Sequence, residues 1–124
     1  MTCKDCVYYE ACVNLMTDPK RIESMSYGNS ETWLCFKDKI YCEALNKWGA
    51  EAQTLMVFEE MSELQKELCK HARGKDNREA IAEEIADVQI MLEQMMILHD
   101  CEDLVEVQKF KKTHRLKIRL EQED

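Results

Sequence analysis

From about residue 40 onward, apolar residues recur at three- and four-residue intervals; before it no such period lasts. Val57, Met61, Leu64 and Leu68 keep this spacing, which puts them on one face of an α-helix. The pattern predicts a long helix over residues 50–71, ended by Arg73-Gly74 with Gly74 as a left-handed cap. Gly49 breaks it from a short helix at 41–48. A third helix is predicted from Asp76 or Asn77 to about Leu98, with Asp76 and Glu79 at capping-box spacing. His99, Asp100 and Cys101 make the next turn, and Asp100 is expected to cap a last helix running to about Glu121. The third helix is apolar nearly all round, with Ile81, Ile85, Val88, Met91, Leu92 and Met95 facing several ways. Such a helix is buried on more than one face. A four-helix chain this small cannot cover it alone, so a homo-oligomer, a homodimer or homotetramer, is expected.

Composition agrees with the pattern. The chain has 124 residues, enough for one core. It holds 3 Gly and 1 Pro, which leaves little room for turn-rich structure. After residue 40 it is dominated by good helix formers. The expected fold class is all-α, an antiparallel helical bundle over 41–124 preceded by a different piece at 1–40. That first piece contains Pro19, the loop-like run SYGNSET at 26–32 and four of the seven cysteines. It is too short of apolar surface to hold itself together, and so is expected to need a staple.

Cys3-x-x-Cys6, Cys12 and Cys35 offer a four-thiol set, and Zn²⁺ suits four sulfurs in a tetrahedron. A second CxxC is missing, so Cys42 is a spare candidate ligand. A redox CxxC or free thiols are the alternatives, but redox motifs of this kind sit in a strand–helix context that the sequence lacks. The reading favours structural Zn²⁺.

Charge narrows the partners. The formal net charge of −8 disfavours nucleic acid, although Lys4, Lys20, Arg21, Lys37 and Lys39 in the first piece leave a small basic set. No apolar run reaches the roughly 20 residues of a membrane helix. MTCKDC has no apolar h-region, so no signal peptide and a cytoplasmic location are expected.

The candidate chemistry is acidic. Glu60 and Glu63 lie at i and i+3, hence on one helix face, with Glu59 on its flank. Glu84 and Asp87 repeat the relation on the next helix, with Glu83 beside them. Twenty residues lie between Glu63 and Glu84, enough to finish a helix, turn and return antiparallel. Four carboxylates facing one another repel. Water and distance relieve that, and so does a hard divalent cation such as Mg²⁺ or Mn²⁺. An EExxE run alone is common on solvated helices. Here Met56, Met61, Leu64, Ile85, Val88 and Leu92 border the acids, and Glu59, Glu60, Glu84 and Asp87 have no base four residues on. Repetition on two consecutive helices points to function.

Glu59-Glu60-x-x-Glu63 followed by Glu84-x-x-Asp87 resembles the EExxE…ExxD signature of the MazG-like all-α NTP pyrophosphohydrolases. The resemblance extends through KWGAEAQTLMVFEEMSEL at 47–64 and IAEEIADVQIMLEQM at 81–95, and covers about residues 41–120. The cysteine-rich beginning is similar to those on some phage-encoded members. The resemblance implies hydrolysis of a nucleoside triphosphate, NTP or dNTP, between its α and β phosphates, giving the monophosphate and pyrophosphate. It implies Glu60, Glu63, Glu84 and Asp87 as Mg²⁺ ligands. Glu59 is a further candidate for holding metal-bound water, and Glu59 or Glu63 would take the water's proton.

Other residues carry weaker expectations. In KFKKTHRLKIR, at 109–119, Lys112 and Arg115 share a face and could reach the phosphates. A solvated basic face is the plainer reading, and His114 stands where the family often has Asn. Trp48 and Gln53 could line a base pocket; Trp48 could equally pack in the core beside Leu45 and Leu55. The rival function is a non-enzymatic module, in which the zinc piece docks on a protein partner and the acids only solvate a helix bundle.

Overall fold

The computed structural model describes residues 31–123, and among them every regular element is helical. Four helices follow one another: α1 (Glu31–Trp48), α2 (Ala50–Ala72), α3 (Arg78–Leu98) and α4 (Glu102–Gln122). Among the described residues no helix is long and apolar enough to cross a membrane. The chain divides at Gly49 into two units, with α1 in the first and α2, α3 and α4 in the second.

α1 begins ten residues before the expected Tyr41, so the boundary expected at residue 40 falls inside a helix. Trp33, Phe36 and Ile40 stand at i, i+3 and i+7, a helical period hidden by the turn-forming run before it. Tyr41 is buried and Trp48 exposed. Gly49, at φ +88°, ends α1 in a conformation that costs glycine little.

α2 and α3 form an antiparallel pair. At one end Gln53 meets Gln94; at the other Glu67 meets Asn77. Their shared seam alternates polar and apolar positions: Gln53, Val57, Glu60, Leu64 and Glu67 on α2 are all buried or half-buried, as are Asn77, Glu84, Val88, Met91 and Gln94 along α3. Val57 and Met91 are the buried apolar residues of this pair, and Gln53, Asn77 and Gln94 are buried with them.

Both turns of this unit use the same cap. After α2, Gly74 N–H donates to His71 O at 2.9 Å and Lys75 N–H to Lys70 O at 3.1 Å, with Gly74 left-handed at φ +97°. This is a Schellman motif, as expected from Gly74. After α3, Asp100 N–H donates to Ile97 O at 3.2 Å and Cys101 N–H to Met96 O at 3.0 Å. Asp100 takes the left-handed position at φ +48°. Asp100 therefore closes α3 rather than capping α4, whose N-cap is Cys101. The expected capping box at Asp76 is likewise absent. Asn77 is the N-cap of α3 and makes no side-chain cap bond, because its amide is turned back to Glu67.

α4 is the outlier. Among the described residues it packs lightly against α3, and every residue from 106 to 123 is exposed.

Candidate metal site

The antiparallel register carries Glu60 of α2 to face Glu84 and Asp87 of α3. One carboxylate oxygen from each of the three lies within 4.8 Å of the others. Glu60 and Glu84 are half-buried beside the seam, and Asp87 is exposed. These are three of the four residues expected as Mg²⁺ ligands. Glu63, the fourth, is exposed and stands outside that close group, but its charge acts on both Glu60 and Glu84.

The electrostatics follow from the placement. Partial burial pushes the Glu60 carboxyl above its ordinary value, and Asp87, Glu84, Glu59 and Glu63 push it further. Burial also raises Glu84, with Asp87, Glu63, Glu67 and Glu83 adding to it. Among the described residues no Lys or Arg pairs with Glu60, Glu84 or Asp87. The donor set is all oxygen and all anionic, which suits a hard divalent cation.

Glu67, one helical repeat beyond Glu60, shows what satisfaction looks like in this seam. Lys70 Nζ donates to its Oε1 at 2.7 Å and Asn77 Nδ2 to its Oε2 at 2.8 Å. These bonds, Lys70 first, hold the Glu67 carboxyl below its ordinary value. Asn77 Nδ2 also donates to the Glu67 backbone oxygen at 2.9 Å. Asn77 thus ties the start of α3 to the end of α2 and fixes the register that aligns the acids.

Gln53 is buried, its Nε2 donating to Gln94 Oε1 at 2.7 Å. Its side chain is part of the seam between α2 and α3. Trp48 belongs to the first unit and is 59% exposed, with Lys47 Nζ 5.6 Å from its ring centroid. Lys112, His114 and Arg115 are exposed on α4. Cys3, Cys6 and Cys12 lie outside the described residues, and the backbone of Cys35 belongs to α1. Cys42 is exposed on α1. Sequence reasoning missed Asn77 and Gln94, which position the acid helices. The signal available was their spacing: Gln94 stands seven residues after Asp87, and Asn77 seven before Glu84. Comparison of the chain with protein-family models, with curated proteins and with solved structures finds no match.

Proposed function

We propose that the chain is a Mg²⁺- or Mn²⁺-dependent nucleoside triphosphate pyrophosphohydrolase of the MazG-like all-α kind. The observation that carries this reading is the convergence of Glu60, Glu84 and Asp87, from two helices, on a space within 4.8 Å, with no Lys or Arg among the described residues paired to them. Glu60, Glu84 and Asp87 would hold the metal, with Glu63 beside them as a further ligand. Bound there, the cation would offset the negative charge of a triphosphate and orient it. Glu59 or Glu63, both exposed, would accept the proton of an attacking water. Water adds, the α–β phosphoanhydride bond breaks, and a nucleoside monophosphate and pyrophosphate leave. The reading includes a structural Zn²⁺ on Cys3, Cys6, Cys12 and Cys35, and an assembly of more than one copy.

The test is pyrophosphate release from a panel of NTPs and dNTPs, in Mg²⁺ or in EDTA, by the chain and by Glu60→Gln and Glu84→Gln. Release that requires the metal and vanishes in both variants supports the reading. A folded chain that releases no pyrophosphate from any nucleotide refutes it and leaves the acids as a solvated face of a non-enzymatic module.

A further inference from the structure

We infer that Gln53, Gln94 and Asn77 are positioning residues for the cation of the acid site, holding α2 and α3 in the alignment that brings Glu60, Glu84 and Asp87 together. This role rests on the metal site of the proposed function, and adds which residues outside that site set its affinity.

All three side chains are more than nine-tenths buried, at 5%, 4% and 7% exposure. None is what helix stability alone would select. Gln53 and Gln94 use one buried amide to satisfy part of another, Nε2 to Oε1 at 2.7 Å, where two apolar side chains would pack with no polar group to bury. Asn77 is the N-cap of α3, yet its side chain makes no cap bond there. Its Nδ2 reaches back to Glu67 instead, to Oε2 at 2.8 Å and to the backbone oxygen at 2.9 Å. Its Oδ1 is left buried and, among the described residues, without a donor, which costs what an unmade hydrogen bond costs. Local rules broken in this way gather beside functional sites.

Their placement brackets the acids. Gln53 and Glu67 stand seven residues to either side of Glu60, about 10 Å along the helix each way. On α3, Asn77 stands seven residues before Glu84, and Gln94 seven after Asp87. The acids therefore lie between two polar clasps. Like charges push the helices apart there, and an ion needs them close. Mg²⁺ holds its oxygens at about 2.1 Å, so two ligand oxygens lie no more than about 4.2 Å apart. The three oxygens already lie within 4.8 Å of one another. A slide of one helical turn is about 5.4 Å, enough to take the group apart. Apolar contacts are non-directional and tolerate small slides; a buried amide bond is directional and does not.

Mn²⁺ binding to the full chain, followed by electron paramagnetic resonance and paired with thermal melts in EDTA, gives the test. Gln53→Met with Gln94→Met opens one clasp without stranding an amide. It is expected to melt close to the parent and yet bind Mn²⁺ about tenfold or more weakly, as when the outer support of a metal site is removed. Asn77→Ala opens the other clasp and weakens binding by a similar factor. Val57→Ala leaves a cavity in the seam with both clasps intact, so it melts lower than the double variant and keeps the parent's affinity. A double variant that binds Mn²⁺ as the parent does overturns the inference. So does an affinity that falls in step with melting temperature across all the variants, Val57→Ala included. Should the double variant not fold, Asn77→Ala against Val57→Ala makes the same comparison. A parent that binds no Mn²⁺, or whose binding survives Glu60→Gln, overturns the inference and the metal site together. A parent that binds Mn²⁺ through Glu60 but releases no pyrophosphate removes the hydrolase and leaves the positioning role standing.

Discussion

The Gln53–Gln94 pair offers the sharpest check on how the two acid helices are aligned. Each side chain is almost fully buried, at 5% and 4% exposure, and one bond of 2.7 Å joins them. Gln53→Met keeps the volume and removes the amide. It forfeits a net hydrogen bond of about 1 kcal/mol, and leaves Gln94 Oε1 buried without a donor at a further cost of about 1–3 kcal/mol. The gain from an apolar side chain offsets part of that, so the single variant should lose about 2 kcal/mol. Gln94→Met strands the Gln53 amide in the same way and should lose a similar amount. The double variant strands nothing and gives the sulfur of Met91, already 3.7 Å from Gln94 Nε2, two apolar neighbours. It should lie within about 1 kcal/mol of the parent, so the cycle has a coupling energy of about 3 kcal/mol. Urea unfolding followed at 222 nm for the four proteins measures it. Additive losses, or a double variant worse than either single one, would refute the assignment of this pair as a closed buried contact. If Gln53 instead contacted a nucleotide base, Gln53→Met would raise KM and leave the urea midpoint unchanged.

The turns, the register and the acids supply the other tests. Asp100 holds a left-handed φ of +48°; Asp100→Gly should stabilise the chain by about 0.5–1 kcal/mol, and Gly74→Ala, at φ +97° with open space around the new Cβ, should destabilise it by about 1 kcal/mol. Thermal melts decide both, and opposite signs would mean that neither position limits its turn. Asn77→Ala removes the two bonds donated to Glu67 and should cost about 1–3 kcal/mol, read as a lowered urea midpoint. The metal-free chain should be most stable in mild acid. Glu60 and Glu84 have raised carboxyls, so their contribution is present below the ordinary 4.5 and lost as pH rises through their folded values. Glu67 is lowered, and its contribution is lost as pH falls below that value. A melting temperature that climbs steadily from pH 5 to pH 8 without metal would contradict this. Glu60→Gln should melt higher than the parent in EDTA and lose the rise that Mg²⁺ gives the parent; an unchanged Mg²⁺ shift would remove Glu60 from any metal site.

Much of this arrangement was legible because helical period is a local property. The spacing of Val57, Met61, Leu64 and Leu68 located α2, and Gly74 announced its end, since only glycine takes that φ freely. The i, i+3 acids needed only the register of an antiparallel return to meet, and Glu60, Glu84 and Asp87 do meet. What failed had non-local causes. Asp100 looks like a cap for α4, yet the chain needs a left-handed residue to leave α3, and Asp tolerates that position better than most. Asn77 looks like an ordinary N-cap, yet a carboxylate from ten residues earlier captures its amide. Gln53 looks available to a ligand until its partner 41 residues away is known. α1 begins early because a three-residue apolar period is easily masked beside a Gly-Asn-Ser run.

The seam between α2 and α3 joins these local facts into one argument. Its polar positions recur at Gln53, Glu60 and Glu67, one heptad apart, so the two helices meet through three polar levels separated by Val57 and Leu64. The first level is closed within the chain by Gln94, and the last by Asn77 and Lys70. Buried polar levels of this kind can fix the register of a helix pair, because slipping by one turn strands every amide. The middle level behaves differently. Glu60 meets Glu84 and Asp87 there, and its carboxyl is raised by partial burial and by these acidic neighbours. If register were all the seam had to secure, a third amide pair or an apolar layer would have done it without repulsion. The outer levels hold the middle one in place against its own charge, which is what an ion site made of carboxylates requires before the ion arrives. Among the described residues no amide or base completes the middle level, and on the proposed reading a hard cation would do so, since three converging anionic oxygens suit one.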